Sequence, residues 1–287
     1  GFSFDGRRYQ GFAGDTLASA LLANGVHHVA RSFKYHRPRG ILGAGSEDPG
    51  ALVRVGSDPA TMVVNQRATE VELHDGLEAF PQNCWPSLGF DIGVVNDLMH
   101  RFLPAGFYYK TFMGPPGSWM FFEPFIRRVA GLGPAPSAPD PARYEHMNRH
   151  CEVLVIGAGP AGLAAARESA RSGARVILAE ESPTCGGRIL AEAEGDALIE
   201  GLAPRAWCAA VLEELAAHPE VTLLTRTSAS GYYAQNWLTL FENCTDHLPL
   251  SQAGDGPRHR LWRVRAQQVV LATGAIERPL VFNGNDR

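Results

Sequence analysis

The spacing of apolar residues along the chain predicts its elements before any chemistry is considered. Val153-Leu154-Val155-Ile156 is an unbroken apolar run, as expected of a parallel strand buried on both faces. Val176-Ile177-Leu178-Ala179 is a second such run. Between them Leu163, Ala166 and Ala170 recur at helical spacing and stop at Gly173. Trp207, Val211 and Leu215 predict a further helix, and Val221 to Thr225 a strand. Tyr232 to Glu242 and Arg260 to Arg265 read as antiparallel strands. Val269 to Ala275 reads as another buried strand, ending in Ala272-Thr273-Gly274.

The first hundred residues have a different rhythm. Phe2 to Tyr9 reads as a hairpin turning at Asp5-Gly6. Asp15 is placed to cap a short helix carrying Leu17, Leu21 and Leu22, closed by Asn24-Gly25. Ala51 to Val55, Thr61 to Asn65 and Thr69 to Leu73 read as strands, which makes a small α+β domain. Residues 102 to 125 then crowd together Phe102, Phe107, Tyr108, Tyr109, Phe112, Trp119, Phe121, Phe122 and Phe125. Such a segment must cover something, either the chain's own domains or a subunit interface, where aromatics are enriched. Gly131 to Ala142, with four prolines, reads as a linker. The expected domains are 1–85, a connecting segment 86–145, and 146–287.

The bulk numbers agree with two domains: 287 residues, 45% hydrophobic and 20% charged. A net charge of -4 makes no case for a nucleic-acid partner. Five cysteines with no CxxC argue against a disulfide framework or zinc site, and point to the reducing cytoplasm. The longest apolar run, Val153 to Ala166, is too short for a membrane span, which needs about 20 residues. A chain that opens on Gly1 and stops at Asn285-Asp286-Arg287 is expected to be a fragment of a longer polypeptide.

The candidate chemistry sits at the first buried strand. Gly157-Ala158-Gly159-Pro160-Ala161-Gly162 follows it directly. Gly157 permits a tight turn, Gly159 lets the backbone approach a pyrophosphate, and Gly162 lets the helix pack closely on the sheet. The phosphates then face unpaired N–H groups at a helix N-terminus. Glu180 closes the second strand at the expected distance. Its carboxylate suits a ribose 2′-OH and repels a 2′-phosphate, which points to NAD or FAD and away from NADP. No cluster of histidines, including His27-His28 and the pair His146 and His150, has metal-ligand character. No catalytic triad or paired carboxylates can be singled out, and Cys185, before Gly186-Gly187-Arg188, reads as an inert packing residue.

The order of GxGxxG, acid, Gly-Gly, β-meander and Ala-Thr-Gly resembles the two-dinucleotide-binding flavoproteins related to glutathione reductase, without their redox-active cysteine pair. Two further strings are more specific: Arg31-Ser32-Phe33-Lys34-Tyr35-His36-Arg37-Pro38-Arg39-Gly40 with Ser46-Glu47-Asp48-Pro49, and Ala275-Ile276-Glu277-Arg278-Pro279-Leu280 with Phe282, Asn283, Asn285 and Asp286. They resemble the α subunits of heterotetrameric sarcosine oxidase over essentially the whole chain.

That resemblance implies a Rossmann-type domain preceded by a ferredoxin-like (β-grasp) domain. Gly43, Asp48 and Ala51 fall where cluster-bearing relatives carry a C-x4-C-x2-C run, so no iron–sulfur cluster is expected. The basic stretch Arg31, Lys34, His36, Arg37 and Arg39 then reads either as a solvated loop or as a contact for a partner subunit or flavin phosphate. The resemblance implies NAD on this chain, with FAD as the alternative, and FAD and FMN on or shared with a partner subunit. It implies β, γ and δ partners, and oxidation of sarcosine to glycine with one-carbon transfer to tetrahydrofolate and hydrogen peroxide formation. The cofactor contacts it implies are Gly157, Ala158, Gly159, Pro160, Ala161, Gly162, Glu180, Glu181, Ser182, Gly187, Arg188, Ala229, Ala272, Thr273 and Gly274, with no catalytic residue on this chain. Two alternatives stand: an FAD-binding subunit of a related opine, proline or cyanide-forming dehydrogenase, and a non-catalytic scaffold with a structural dinucleotide.

Overall fold

The structure is a computed structural model that describes residues 1–103, 106, 112, 114–191, 195, 197–249, 251–276, 280 and 282. The chain divides into two compact units. One comprises Gly1–Pro141 with His247–Pro249 and Ile276–Arg287; the other comprises Ala142–Asp246 with Leu250–Ala275.

In the first unit β1 (Phe2–Phe4) and β2 (Arg7–Tyr9) form the expected hairpin, with Asp5 and Gly6 both at positive φ. Helix α1 (Leu17–Ala23) follows. Its cap is Thr16, not Asp15: Thr16 Oγ1 accepts from Ser19 N–H, and Ser19 Oγ accepts from Thr16 N–H. Asp15 instead accepts from the Ser19 hydroxyl and the Phe12 N–H. The reciprocal pair satisfies two orphan N–H groups at once, which a single carboxylate one residue earlier does not. Leu17 and Leu21 are buried while Leu22 faces outward.

Strands β3 (Ala30–Arg31) and β4 (Pro38–Arg39) make a small two-stranded ribbon. Then β5 (Leu52–Val55), β6 (Val63–Arg67) and β7 (Glu78–Pro81) complete a mixed sheet of order β2-β1-β7-β5-β6, with β1 parallel to β7. The strand expected at Thr61–Asn65 lies two residues later, and Thr69–Leu73 is not a strand. Its backbone is tied to the start of α1 instead, Leu17 N–H donating to Val71 O and Leu73 N–H to Asp15 O. Phe2, Phe4, Leu17, Leu21, Val53 and Ala79 form the core of this unit.

The loop between β4 and β5 is organised by Asp48, which is 1% exposed. One carboxylate oxygen accepts the N–H groups of Leu42 and Gly43 (2.7 and 2.9 Å), and the other those of Gly50 and Ala51 (2.8 and 2.9 Å). Between β3 and β4, buried His36 joins its Nδ1 to Asp91 (2.6 Å) and its Nε2 to the Val129 carbonyl (2.8 Å).

Helix α2 (Trp119–Ala130) was not anticipated from the aromatic pattern. It buries none of its residues, and Met120, Phe121 and Phe125 are all more than half exposed. Phe102 is likewise exposed, while Phe112, Trp119 and Phe122 are half-buried. Phe107, Tyr108 and Tyr109 lie outside the described residues, as do Glu277, Arg278, Pro279, Asn283, Asn285 and Asp286.

In the second unit β8 (Tyr144–Ile156) runs parallel to β9 (Val176–Ala179), which runs parallel to β10 (Val221–Leu224). Helices α3 (Pro160–Arg171) and α4 (Pro204–Ala217) connect them, in the β–α–β sequence that the apolar runs predict. The remaining strands differ from expectation. Tyr232 to Glu242 is not one strand, because Gln235 and Asn236 take positive φ and turn β11 (Thr227–Tyr233) back into β12 (Trp237–Asn243). Arg260–Arg265 and Val269–Leu271 join in the single strand β13 (His259–Leu271). This strand pairs with β12 on one side and, in parallel, with β8 on the other, so the six-stranded order is β10-β9-β8-β13-β12-β11. The end expected to be buried is not: Leu271 is 60% exposed. Two cores flank the sheet, one around Leu163, Leu178 and Trp207, the other around Leu154, Leu240 and Trp262. Among the described residues no helix is long and apolar enough to cross a membrane.

Candidate functional site

Strand β8, the turn and α3 bring the first six predicted residues together at the carboxyl end of the sheet. Gly157 has φ +96, and a Cβ there would stand 2.4 Å from the Ala272 carbonyl oxygen. A Cβ on Gly162 would lie 1.8 Å from the Gly157 oxygen, so the helix meets the turn where only glycine fits. Gly159 differs. It is the N-cap of α3 with φ -71, and a Cβ would meet nothing within 4 Å. The space beside it is open, and Pro160 at N1 sacrifices only an N–H that has no partner in the helix. The residues present therefore fit a pyrophosphate: an open approach over Gly159 and the positive end of a twelve-residue helix.

Glu180 lies next to this turn and is only 7% exposed. Its Oε2 accepts the Ala158 N–H at 2.6 Å and its Oε1 accepts the Ser182 N–H at 2.9 Å. The backbone around it is locked as well, since Glu180 N–H donates to Leu224 O and Thr227 N–H donates to Glu180 O. The acid thus holds the turn and the following loop as two walls of one recess.

Among the remaining predicted residues, Gly187 approaches Gly159 closely: a Cβ there would meet the Gly159 Cα at 3.0 Å. Ala272 and Thr273 stand against Gly157. Glu181, Ser182, Arg188 and Gly274 are exposed around the same recess edge or beyond it. Ala229 sits apart, exposed on β11 opposite Leu240, and no hydrogen bond of the described residues links it to the turn. Two contributors were not singled out from the sequence. Gly186 takes φ +133 and donates its N–H to the Ala158 carbonyl (2.8 Å). Thr227, 2% exposed, braces Glu180 from β11. The Gly186-Gly187 doublet is a visible signal for the first; nothing local marks the second.

Cys185 lies buried behind the recess, and burial first, then the Glu180 charge, pushes its thiol up to about 11. Cys208 donates to its carbonyl at 3.7 Å. Neither is in a setting that favours thiolate. Among the described residues no group of three or more His, Cys, Asp or Glu is gathered as for a metal ion.

The parallel sheet, the glycine turn and the terminal acid define a dinucleotide-binding protein of the oxidoreductase kind. Residues 151–287 match the family model described as pyridine nucleotide-disulphide oxidoreductase. More particularly, the chain is a homologue of the N-terminal portion of sarcosine oxidase α subunits. It is 53% identical over 287 residues to the sarcosine oxidase subunit alpha of Rhizobium meliloti (strain 1021), covering 100% of this chain and 29% of that protein. It is 40% identical over 285 residues to that of Corynebacterium sp. (strain U-96), covering 99% of this chain and 24% of that protein. The chain thus spans less than a third of these relatives. Among solved structures, L-proline dehydrogenase from P. horikoshii superposes with a TM-score of 0.62 at 19% identity, over 99% of this chain and 42% of that one, which shows a shared fold.

The cofactor expectation needs correction. Residues 1–84 match the family model described as a 2Fe-2S iron-sulfur cluster binding domain, which overturns the reading of NAD without any iron–sulfur cluster. Gly43, Asp48 and Ala51 are a small part of the matched segment, which also contains the core around Leu17, Leu21 and Val53. In the loop itself Gly43 and Ala51 give only backbone N–H to Asp48, and Cys84 is the one cysteine of the matched segment. A plant-type cluster is held by four thiolates, a donor set these residues do not fit.

Proposed function

We propose that the second unit binds NAD as part of the α subunit of an amine-oxidising flavoenzyme of the sarcosine oxidase kind. The observation that carries this reading is the pairing of an open Gly159 approach with the buried Glu180 carboxylate beside it. The N–H groups of Ala161 and Gly162 at the start of α3 receive the pyrophosphate. Glu180 exchanges its Ala158 or Ser182 hydrogen bond for the adenosine ribose hydroxyls, and its charge rejects a 2′-phosphate. Gly187 and Thr273 border the same recess. The bound dinucleotide supplies hydride or electron-pair transfer; this chain binds and orients it.

The N-terminal part, over residues 1–85, is read as a ferredoxin-like domain, joined through 86–145 to the dinucleotide unit 146–287. The parallel pairing of β1 with β7, the single helix and the match over 1–84 support this. The relatives are named as subunits, and the exposed face of α2, with Met120, Phe121 and Phe125, is of the composition that meets another subunit. The β, γ and δ subunits would then complete the assembly. The substrate reaction is the oxidative demethylation of sarcosine to glycine, with the one-carbon unit passed to tetrahydrofolate and hydrogen peroxide formed; the amine-oxidising residues lie outside this chain.

The test is mass spectrometry of the nucleotide released on denaturing the purified protein, alongside sarcosine-dependent oxygen uptake by the assembled complex. NAD with sarcosine-dependent uptake is expected. FAD in its place, or a complex inert to sarcosine, overturns the reading.

A further inference from the structure

Strand β13 carries arginines on both of its faces, and their surroundings differ. Trp262 and Val264 point into the core, and Arg260, on their side of the strand, has two carboxylate partners, Glu145 at 3.1 Å and Glu242 at 2.9 Å. Side chains alternate along a strand, so Arg263 and Arg265 stand on the opposite side. Arg263 Nη2 lies 3.3 Å from His146 Nδ1. Arg265 Nη1 donates to the backbone and side-chain oxygens of Gln235 (3.3 and 3.0 Å). None of these partners is a carboxylate, and among the described residues no Asp or Glu forms an ion pair with either arginine.

The register of the sheet sets both arginines in an outward face that holds no acid. Arg263 stands between Asn148 of β8 and Thr239 of β12; Arg265 stands between His150 and Trp237. Glu145 and Glu242, which belong to the same strands, are turned to the core side with Arg260. Asn148, His150 and Arg265 are exposed and Arg263 is half-buried, so the described residues leave the face open. A local excess of positive charge thus persists on a chain whose net charge is -4. Because the two arginines are alternate residues of one strand, their Cα atoms are about 6.8 Å apart, at 3.4 Å per residue.

We propose that this face of the β-meander is a docking surface for an acidic peptide segment in extended conformation, with carboxylates at alternate positions. Charge complementarity selects the occupant, and the strand spacing selects its conformation. Alternate side chains of an extended segment project to one side at the same repeat, so one carboxylate meets each guanidinium. Trp237 and Tyr233, with ring centres 4.8 Å apart, flank Arg265 on the same face and give the segment's aliphatic stems an apolar border. A single-stranded nucleic acid fits less well. The two rings pack on each other at 49° and do not form parallel platforms for bases, and the net negative charge opposes a long polyanion. The surface lies on the first half of β8, away from the glycine turn that follows Ile156, and is independent of what that turn binds.

The test is fluorescence anisotropy of the full chain with a labelled peptide of alternating glutamate and serine. The same peptide with glutamine for glutamate, a peptide of equal charge with its glutamates spaced further apart, and a thymidine oligonucleotide of matched charge are the comparisons. The alternating acidic peptide should bind, more tightly than any of the three, and should weaken as salt is raised. Arg263→Gln and Arg265→Gln should each lower the affinity about threefold, and the double variant about tenfold. Thr239→Glu, which sets a carboxylate opposite Arg263 without removing a cation, should also weaken binding. Arg8→Gln, on exposed β2 of the first unit, should bind like the parent. Absence of binding overturns the proposal, as does parent-like affinity in both the double variant and Thr239→Glu. Equal binding of the widely spaced peptide overturns the extended register, and tighter binding of the oligonucleotide replaces the peptide as occupant.

Discussion

The carboxylate of Glu180 accepts the backbone N–H of Ala158 at 2.6 Å, across 22 residues of sequence. One side chain thus fixes the shape of the glycine turn and, in the proposed function, would also set nucleotide specificity. Glu180→Ala should weaken NAD binding by about 10- to 100-fold, the range of one or two charge-assisted hydrogen bonds of about 1.5–3 kcal/mol. NADP should lose less or gain, because a repulsive charge goes with the hydrogen bond. Titration of both nucleotides checks this; an unchanged NAD-to-NADP ratio would refute the role assigned to the acid.

The three turn glycines should separate binding from folding. Gly162→Ala and Gly157→Ala place a methyl against backbone oxygens, and the second also takes up a left-handed φ. Each should lower the melting temperature, at a cost of about 2–4 kcal/mol. Gly159→Ala has room and an ordinary φ, so it should melt like the parent while losing nucleotide affinity. Equal melting of all three variants would contradict the geometry.

Asp48→Ala removes the acceptor of four backbone N–H groups from a buried loop. A loss of about 3 kcal/mol or more is expected, since the orphaned donors are desolvated. Asp48→Asn keeps one oxygen and should recover part of it. Chemical denaturation of the three proteins measures the order, parent over Asn over Ala.

Glu200 forms a two-pronged bond with Arg167, Nη1 donating to Oε2 at 2.9 Å, and that bond holds its carboxyl down to about 2. A carboxyl depressed in the fold stabilises above its unfolded pKa, near 4.3, and the contribution fades as pH falls toward 2. Glu200→Gln should therefore melt below the parent at pH 7, with the gap shrinking between about pH 4.5 and pH 2. A gap that is constant over this range would show that the ion pair contributes nothing to stability.

Burial pushes the thiols of Cys84, Cys151 and Cys185 up to about 11. In the native protein at pH 8 all three should react slowly with a thiol reagent, and rapidly once the chain is unfolded. Fast labelling of Cys185 in the native state would reopen a redox role for it.

The parts of the fold most legible in the sequence are those specified by short-range rules. The strand-turn-helix around Gly157 needs only an apolar run, three glycines and an acid, and Val176–Ala179 agrees to the residue. Where two neighbouring residues compete for one role, the pattern misleads. Asp15 and Thr16 both suit a cap, and only the Ser19 side chain decides between them. The reversal at Gln235-Asn236 lacks glycine, so it hides inside what reads as one strand. In the recess, Gly186 and Thr227 are placed by contacts from other elements, which no local spacing encodes. The helix at Trp119–Ala130 was obscured by Pro124, which lies inside it and ordinarily ends or kinks a helix.

The long strand β13 sets an order of events during synthesis. It pairs with β8 from His259 opposite Tyr144 to Leu271 opposite Ile156, and the next residue, Ala272, places its carbonyl over Gly157. The glycine turn is therefore completed by a segment translated more than a hundred residues later. While the ribosome is still producing the meander, one edge of β8 stays unpaired and the recess beside the glycine turn lacks a wall. Such a long-range closure is slow to form and leaves the nascent chain exposed to misassembly. Completion of the glycine turn is thus a late act in the life of this chain, reached only after the last strand of the sheet has been threaded beside its first.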